Sequence, residues 1–188
     1  FPGRAPIRLL TRFEYNNAVR DLLGDDSEPA NAFPSEELGN GFGNGMVELL
    51  ARPDQWQTVV DDPWGVAATA VEEMLRYDTP SQLFERTATQ DVEVAGVTVG
   101  EGQKIAALLG SANRDPDVFT DPDRFDVRRD PNPHIAFGAG IHFCLGAPLA
   151  RLEMQQSLPM LAERFPELRP AGEAVPRGTF VLRGWESV

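Results

Sequence analysis

The feature that most constrains this sequence is a glycine-rich run of ten residues, 137–146, which contains the only cysteine of the chain, Cys144. A long helical pattern, Leu145–Arg164, follows at once. The free N–H groups and positive dipole end of a helix N-terminus stabilise a thiolate relative to a thiol. The glycines let the backbone approach a flat, bulky group closely. The run therefore predicts a functional thiolate, and a single cysteine excludes an internal disulfide.

Two other interpretations of Cys144 fit the same residues. It could be a buried structural cysteine on a glycine-rich turn. It could also be a nucleophile with His142 as its base. A spacing of two residues is an awkward geometry for such a pair, and no third group that would orient the histidine is evident.

The run matches the F-x-x-G-x-x-x-C-x-G haem-binding signature of cytochrome P450 enzymes at every fixed position, and its continuation, 147–151, resembles that of soluble bacterial members. The resemblance implies haem b as cofactor and Cys144 as the axial ligand of its iron. It also implies that His142 contacts a haem propionate. The other cofactor-binding residues that it implies are Phe137, Gly138, Gly140 and Gly146.

Glu73 and Arg76 are three residues apart on a predicted amphipathic helix, Trp64–Tyr77, so they share one face of it. Such a pair is usually an exposed ion pair that contributes little. In cytochrome P450 chains, however, an E-x-x-R helix precedes a small sheet, an Asp-Pro-rich segment with a second arginine, and the cysteine loop. This chain resembles that order, with Arg124 in the Asp-Pro segment. The resemblance implies a structural network of Glu73, Arg76 and Arg124.

The other patterns predict a mainly α protein with a small β-sheet (α+β), the C-terminal part of the cytochrome P450 fold, incomplete. β-branched residues predict strands over 82–109. Arg86, at the start of this region, is implied by the resemblance to reach a haem propionate, the alternative being a surface arginine on a strand. Asp-Pro and Asn-Pro pairs predict a loop over 114–134. The predicted buried side of the helix 145–164 is Leu149, Leu152, Leu158, Leu161 and Phe165.

The N-terminal region has a different character. Thr11 and Glu14 form a T-x-x-E capping box at the start of a predicted helix that ends at Gly24, and residues 25–45 have the composition of a loop. Residues 1–43 resemble the start of a bacterial domain of unknown function. We therefore predict two pieces, residues 1–43 and a truncated haem-binding region, 44–188.

The formal net charge of −12 argues against binding to nucleic acids or anionic membranes, which requires clustered Lys and Arg. No apolar run approaches the length of a membrane span, no secretory signal is evident, and a lone cysteine favours a reducing, cytoplasmic compartment.

The resemblance implies a monooxygenase that oxidises a small organic substrate with dioxygen and electrons from a ferredoxin-type donor. Full members of the family are longer and carry an acid–alcohol pair that delivers protons to bound dioxygen. No such pair is found here, so no catalytic residue is assigned, and we expect the chain alone to lack turnover. The alternatives are a non-catalytic haem-binding or chimeric fragment, and an interaction or scaffold fragment without haem.

Overall fold

A computed structural model describes residues 40–176 and 178–187, together with Asn17, Arg20, Asp21, Asp26 and Ser27. The chain divides into two compact units, Phe1–Leu38 and Gly39–Val188. The predicted N-terminal helix, with its Thr11–Glu14 capping box, lies almost entirely outside the described residues. The boundary that we placed after residue 43 stays a prediction.

Three helices open the second unit: α1 (Asn40–Leu50), α2 (Pro53–Asp61) and α3 (Pro63–Tyr77). A proline occupies the first turn of α3, where its missing N–H costs nothing, and the Asp62 side chain accepts a hydrogen bond from the N–H of Gly65. The helix ends before Pro80, as predicted. The predicted inner face of α3 is confirmed, because all of its members are buried: Val66, Ala67, Ala70, Val71, Met74 and Leu75.

The prediction of a loop was wrong for residues 40–45, which form the first turns of α1. A side chain at Gly45 would collide with the side chain of Met74 on α3. The glycine therefore serves the close packing of two helices. Asn44 is also buried, and its side-chain amide donates 3.1 Å to the carbonyl oxygen of Arg183.

The region predicted as β contains four strands: β1 (Leu83–Thr87), β2 (Val92–Val94), β3 (Val97–Val99) and β4 (Lys104–Leu108). β1 pairs antiparallel with β4, and β2 pairs antiparallel with β3. A short helix, α4 (Leu109–Ala112), follows. Near the C-terminus, β5 (Val175–Pro176) pairs with β6 (Trp185–Ser187). Helices thus dominate, and the strands form small two-stranded sheets, as the fold class predicted.

The last helix, α5 (Ala147–Arg164), packs against α3 and continues through Pro159. Its predicted buried side was only partly right. Leu158 is buried and Leu161 half-buried, but Leu149, Leu152 and Phe165 are exposed. The helix carries two apolar stripes, and the one that faces the core uses the following residues: Ala147, Met154, Leu158, Pro159 and Ala162.

In the part of the chain that the structure describes, no helix is long and apolar enough to cross a bilayer.

Candidate functional site

The loop that carries Cys144 is closed by backbone hydrogen bonds. The N–H of Cys144 donates to the carbonyl oxygen of Phe137 over 3.0 Å, and a short 3-10 turn, Gly140–His142, lies between them. Gly138 and Gly140 have φ values of 73° and 67°. Residues with a side chain rarely adopt this left-handed conformation, so the loop depends on glycine at both positions. The structure thus gives the predicted glycine-rich turn a defined conformation.

Cys144 is exposed and lies just before α5. A methyl group at Gly146, the residue that caps α5, would lie 3.8 Å from the sulfur atom. The thiol therefore sits beside the first turn of α5, where backbone N–H groups have no partner within the helix. This location excludes the buried structural cysteine that was one of the alternatives.

The surface around the thiol is apolar. Ile141 and Leu145 are 99% and 98% exposed, and Phe143 and Leu149 are also exposed. Large apolar side chains grouped in this way on a surface usually mark a binding site or an interface.

Behind the loop, Arg76 is completely buried on α3 and uses all five of its N–H donors. Two of them bind the carboxylate of Glu73, at 2.8 and 2.9 Å. The others reach the backbone carbonyl oxygens of Asn113, Pro122 and Arg124. The pair predicted to be close is therefore in contact. Because every donor is satisfied, the buried charge is fully compensated.

The second arginine of this network differs from the one we expected. Arg129 donates from Nε to Glu73 Oε2 over 3.1 Å, and its side chain is only 11% exposed. The side chain of Arg124 instead points to solvent, 3.7 Å from Asp126, and contributes only its carbonyl oxygen to the network. The predicted side-chain role of Arg124 is therefore corrected, because the Asp-Pro segment turns back on itself and brings the later arginine to the carboxylate.

Sequence reasoning also missed Asn132, whose side-chain amide donates to Glu73 Oε2 over 3.1 Å. The signal was present, since the run 128–132 is a second polar Asp-Pro segment close to the cysteine loop. The network continues toward that loop through Asn113, whose side-chain oxygen accepts the N–H of Ile135 over 2.8 Å. Glu73 and Arg76 are thereby connected to the residue two positions before Phe137.

Arg86 and His142 are the two predicted propionate contacts, and both are exposed. A methyl group at Gly138 would lie 3.5 Å from the Phe84 ring, so β1 passes beside the cysteine loop. Arg86 is two residues further along β1 and therefore lies on the same face of the strand as Phe84. Its guanidinium carbon lies 5.5 Å from the centre of the Phe84 ring. Arg86 therefore lies on the strand that passes beside the cysteine loop, next to the ring that contacts the loop.

Among the described residues, no group of three or more His, Cys, Asp or Glu side chains is arranged to hold a metal ion. A metal bound at Cys144 would have this sulfur as its protein ligand and would need its other ligands from a prosthetic group. A single sulfur is the one ligand that a haem-thiolate site requires from the protein.

Comparison with known proteins decides the family. The family model for cytochrome P450 matches residues 66–177, which include Glu73, Arg76 and the whole cysteine loop. The chain belongs to the cytochrome P450 family. A second family model, PSD3, a protein of unknown function (DUF1587), matches residues 8–76. This second match agrees with the resemblance noted at the N-terminus.

Related cytochrome P450 proteins are similar over most of this chain. The biotin biosynthesis cytochrome P450 of Bacillus subtilis (strain 168) is 46% identical over 136 residues, which are 72% of this chain and 34% of the relative. Nocardicin C N-oxygenase of Nocardia uniformis subsp. tsuyamanensis is 49% identical over 138 residues, again 72% of this chain and 34% of the relative. The chain thus spans about a third of the length of these relatives.

Solved structures show the same partial match. The structure of P450BioI in complex with an acyl carrier protein that carries hexadec-9Z-enoic acid has a TM-score of 0.75 and 45% identity, over 78% of this chain and 38% of that one. The cytochrome P450 PksS of the Bacillus subtilis 168 bacillaene polyketide synthase has a TM-score of 0.74 and 41% identity, over 79% and 39%. The described fold is therefore part of the cytochrome P450 fold.

Members of the family bind haem b. The residues described here fit this group on three counts. The sulfur of Cys144 is exposed near a helix N-terminus, the exposed side chains next to it in the chain are apolar, and Arg86 provides a cation on β1, the strand that passes beside the loop.

Proposed function

We propose that this chain provides the thiolate-ligand side of a haem b site in a cytochrome P450 monooxygenase, with Cys144 as the protein ligand of the iron. One observation carries the proposal. An exposed thiol lies before the first turn of α5, in a loop closed by the hydrogen bond from Cys144 N–H to Phe137 O. The family match over residues 66–177 supports it.

Each residue has a distinct part in this proposal. Cys144, beside the first turn of α5, would supply the sulfur that ligates the iron. Arg86 and His142 orient the group by contact with its propionates. Phe137 and the loop glycines, Gly138, Gly140 and Gly146, shape the surface against which the ring lies. Haem, when bound, supplies the iron at which family members activate dioxygen.

Glu73 and Arg76 have a structural part, because they are buried and make their contacts away from the exposed thiol. They hold the segment that precedes the loop against α3, so that the backbone from Asn113 to Ile135 has one conformation.

We further propose that the enzyme to which this region belongs acts on a small organic substrate and receives electrons from a ferredoxin-type donor. Residues 1–188 alone are expected to show no turnover. The length of the relatives supports the last point, since the chain spans about a third of them. Formation of an oxygenated product from a small aromatic ether by the purified chain, supplied with a ferredoxin-type donor, would contradict it.

The test of haem ligation is spectroscopic. The full chain is expressed, supplied with haem, reduced with dithionite, and its spectrum is recorded with and without carbon monoxide. We expect a strongly red-shifted Soret band for the wild type and its loss in Cys144→Ser, because an alcohol does not replace a thiolate as an iron ligand. Ala139→Ser, on an exposed residue of the same loop, is the matched control and should keep the band. A red-shifted band that survives in Cys144→Ser would refute the proposal.

A further inference from the structure

Glu72 lies one residue before the buried Glu73 and joins three parts of the structure. Its carboxylate receives two hydrogen bonds from Arg151 on α5, from Nε at 2.7 Å and from an η nitrogen at 2.8 Å. It also lies 2.8 Å from Nε2 of His134, in the segment that leads into the cysteine loop. This two-point contact between the carboxylate and the guanidinium fixes the orientation of the guanidinium plane.

The hydrogen bonds of His134 define which ring nitrogen carries the proton. Nδ1 accepts the backbone N–H of Ala136 over 3.1 Å, so it has no proton of its own. Nε2 therefore donates to Glu72, and the side chain is only 1% exposed. The imidazole thus connects the backbone of the loop segment to the carboxylate on α3.

Arg151 connects the same carboxylate to Phe137. Its guanidinium carbon lies 4.7 Å from the centre of the Phe137 ring, a stacking distance for a cation and an aromatic ring. The carbonyl oxygen of Phe137 in turn accepts the N–H of Cys144. A continuous set of contacts therefore runs from Glu72, through Arg151 and Phe137, to the backbone of Cys144.

We propose that Glu72, His134 and Arg151 form a clamp of positioning residues that holds Phe137, and through its carbonyl oxygen the backbone of Cys144, in the conformation in which the sulfur can ligate haem iron. This inference rests on the proposed role of Cys144 as the iron ligand. The clamp shares no side chain with the Glu73–Arg76 network, which holds the backbone from Asn113 to Ile135.

The charge of the clamp is present across the neutral range. Burial disfavours the ionised carboxylate of Glu72, but hydrogen bonds from His134 and Arg151, together with the positive charge nearby, outweigh this and lower its pKa to about 2. The side chains of Glu72 and Arg151 are still 24% and 29% exposed. Partly exposed pairs contribute modestly to global stability, so loss of the clamp should affect the loop much more than the core.

The test measures amide hydrogen exchange in the full chain without haem. The probe is the N–H of Cys144, and the N–H of Met74, a fully buried residue of α3, reports on the core. In Glu72→Gln the exchange of Cys144 should accelerate about tenfold while that of Met74 stays within twofold, because the hydrogen bond to Phe137 opens locally.

The matched control is Glu163→Gln. Glu163 Oε1 accepts the indole N–H of Trp64 over 2.7 Å, so this pair also joins α3 to α5 but lies at the other end of α5. We expect no change at Cys144. The clamp is refuted if both variants accelerate Cys144 equally, if neither does, or if Met74 accelerates by the same factor as Cys144. Should Glu72→Gln fail to fold, Arg151→Gln tests the same contact from a more exposed position.

A second measurement separates this inference from the proposed function. With haem and carbon monoxide, Glu72→Gln should lose at least half of the red-shifted Soret intensity of the wild type, and Glu163→Gln should lose none. If the wild type itself lacks the band, the proposed haem ligation fails, whereas the exchange data still decide whether the clamp holds the loop. If the wild type has the band and Glu72→Gln matches it in both measurements, the clamp alone is refuted.

Discussion

Arg129 lies against the buried carboxylate of Glu73, with its Nε 3.1 Å from Oε2. Three further N–H donors of Arg129 reach the carbonyl oxygens of Thr120, Asp121 and Arg124. The guanidinium of Arg124, by contrast, is mostly exposed. Two arginines five residues apart therefore contribute very differently to the stability of the segment before the cysteine loop.

We expect Arg129→Gln to lower the free energy of unfolding by about 2–3 kcal/mol, because it removes charge-assisted hydrogen bonds from a buried carboxylate. Arg124→Gln is the matched substitution and should change it by less than about 0.5 kcal/mol, since the carbonyl oxygen that takes part in the network is retained. Urea unfolding of both variants gives the comparison. Equal losses would show that the two side chains are equivalent.

We expect that lysine, although it is also a cation, cannot replace Arg76. Lysine offers three donors on a single nitrogen and cannot reach the Glu73 carboxylate and three carbonyl oxygens together. Arg76→Lys should therefore lower the free energy of unfolding by about 3–5 kcal/mol, the range for breaking a buried ion pair. Arg164→Lys, at an exposed position near the end of α5, is the control and should be neutral in the same urea titration. If Arg76→Lys lowers the free energy of unfolding by less than about 1 kcal/mol, water must enter the site and bind the groups that lysine leaves unpaired.

The sequence was informative where local patterns and long-range packing agree. The α3 helix was predicted from its apolar spacing, and all six residues of its inner face are buried. Glu73 and Arg76 share a helix face by their spacing alone, so their contact could be anticipated. The glycine-rich loop before α5 was likewise evident from composition and from the single cysteine.

The sequence was less informative where a contact depends on the path of an irregular segment. Nothing in the spacing distinguishes Arg124 from Arg129, because no periodicity links a loop residue to a carboxylate on a helix about fifty positions earlier. The same holds for His134 and Arg151 at Glu72. For α5, both apolar stripes satisfy the helical period, and only packing against α3 selects the one with Met154 and Leu158.

The loop glycines give a test of backbone conformation. Gly140 has a φ of 67° and open space where a side chain would lie, so Gly140→Ala should cost about 1 kcal/mol through backbone strain alone. Gly146 has a φ of −81°, which alanine adopts readily, and Gly146→Ala should be neutral or slightly stabilising. Thermal unfolding of both variants without haem makes the comparison. Equal effects would mean that the loop is not held in this conformation.

Asp78, at the C-terminal end of α3, is a carboxylate in an unfavourable environment. It is buried, its Oδ2 has no hydrogen-bond partner among the described residues, and its Oδ1 lies 3.1 Å from Nε of Arg183. Burial raises its pKa to about 6, against the opposing charge of Arg183. The folded state therefore binds a proton more tightly than the unfolded state, in which the pKa has its ordinary value near 3.8.

This shift predicts a pH dependence of definite sign. Between pH 4 and 6 the folded chain holds the proton of Asp78 and the unfolded chain releases it, so the stability of the wild type falls as the pH rises through this window. Asp78→Asn removes the effect. Its stability relative to wild type should therefore increase by on the order of 2 kcal/mol from pH 4 to pH 7. Asp117→Asn, at an exposed carboxylate, is the control and should show a much smaller change in urea unfolding at the same two pH values. A relative stability of Asp78→Asn that is flat or decreases with pH would mean that Arg183 compensates the buried charge completely.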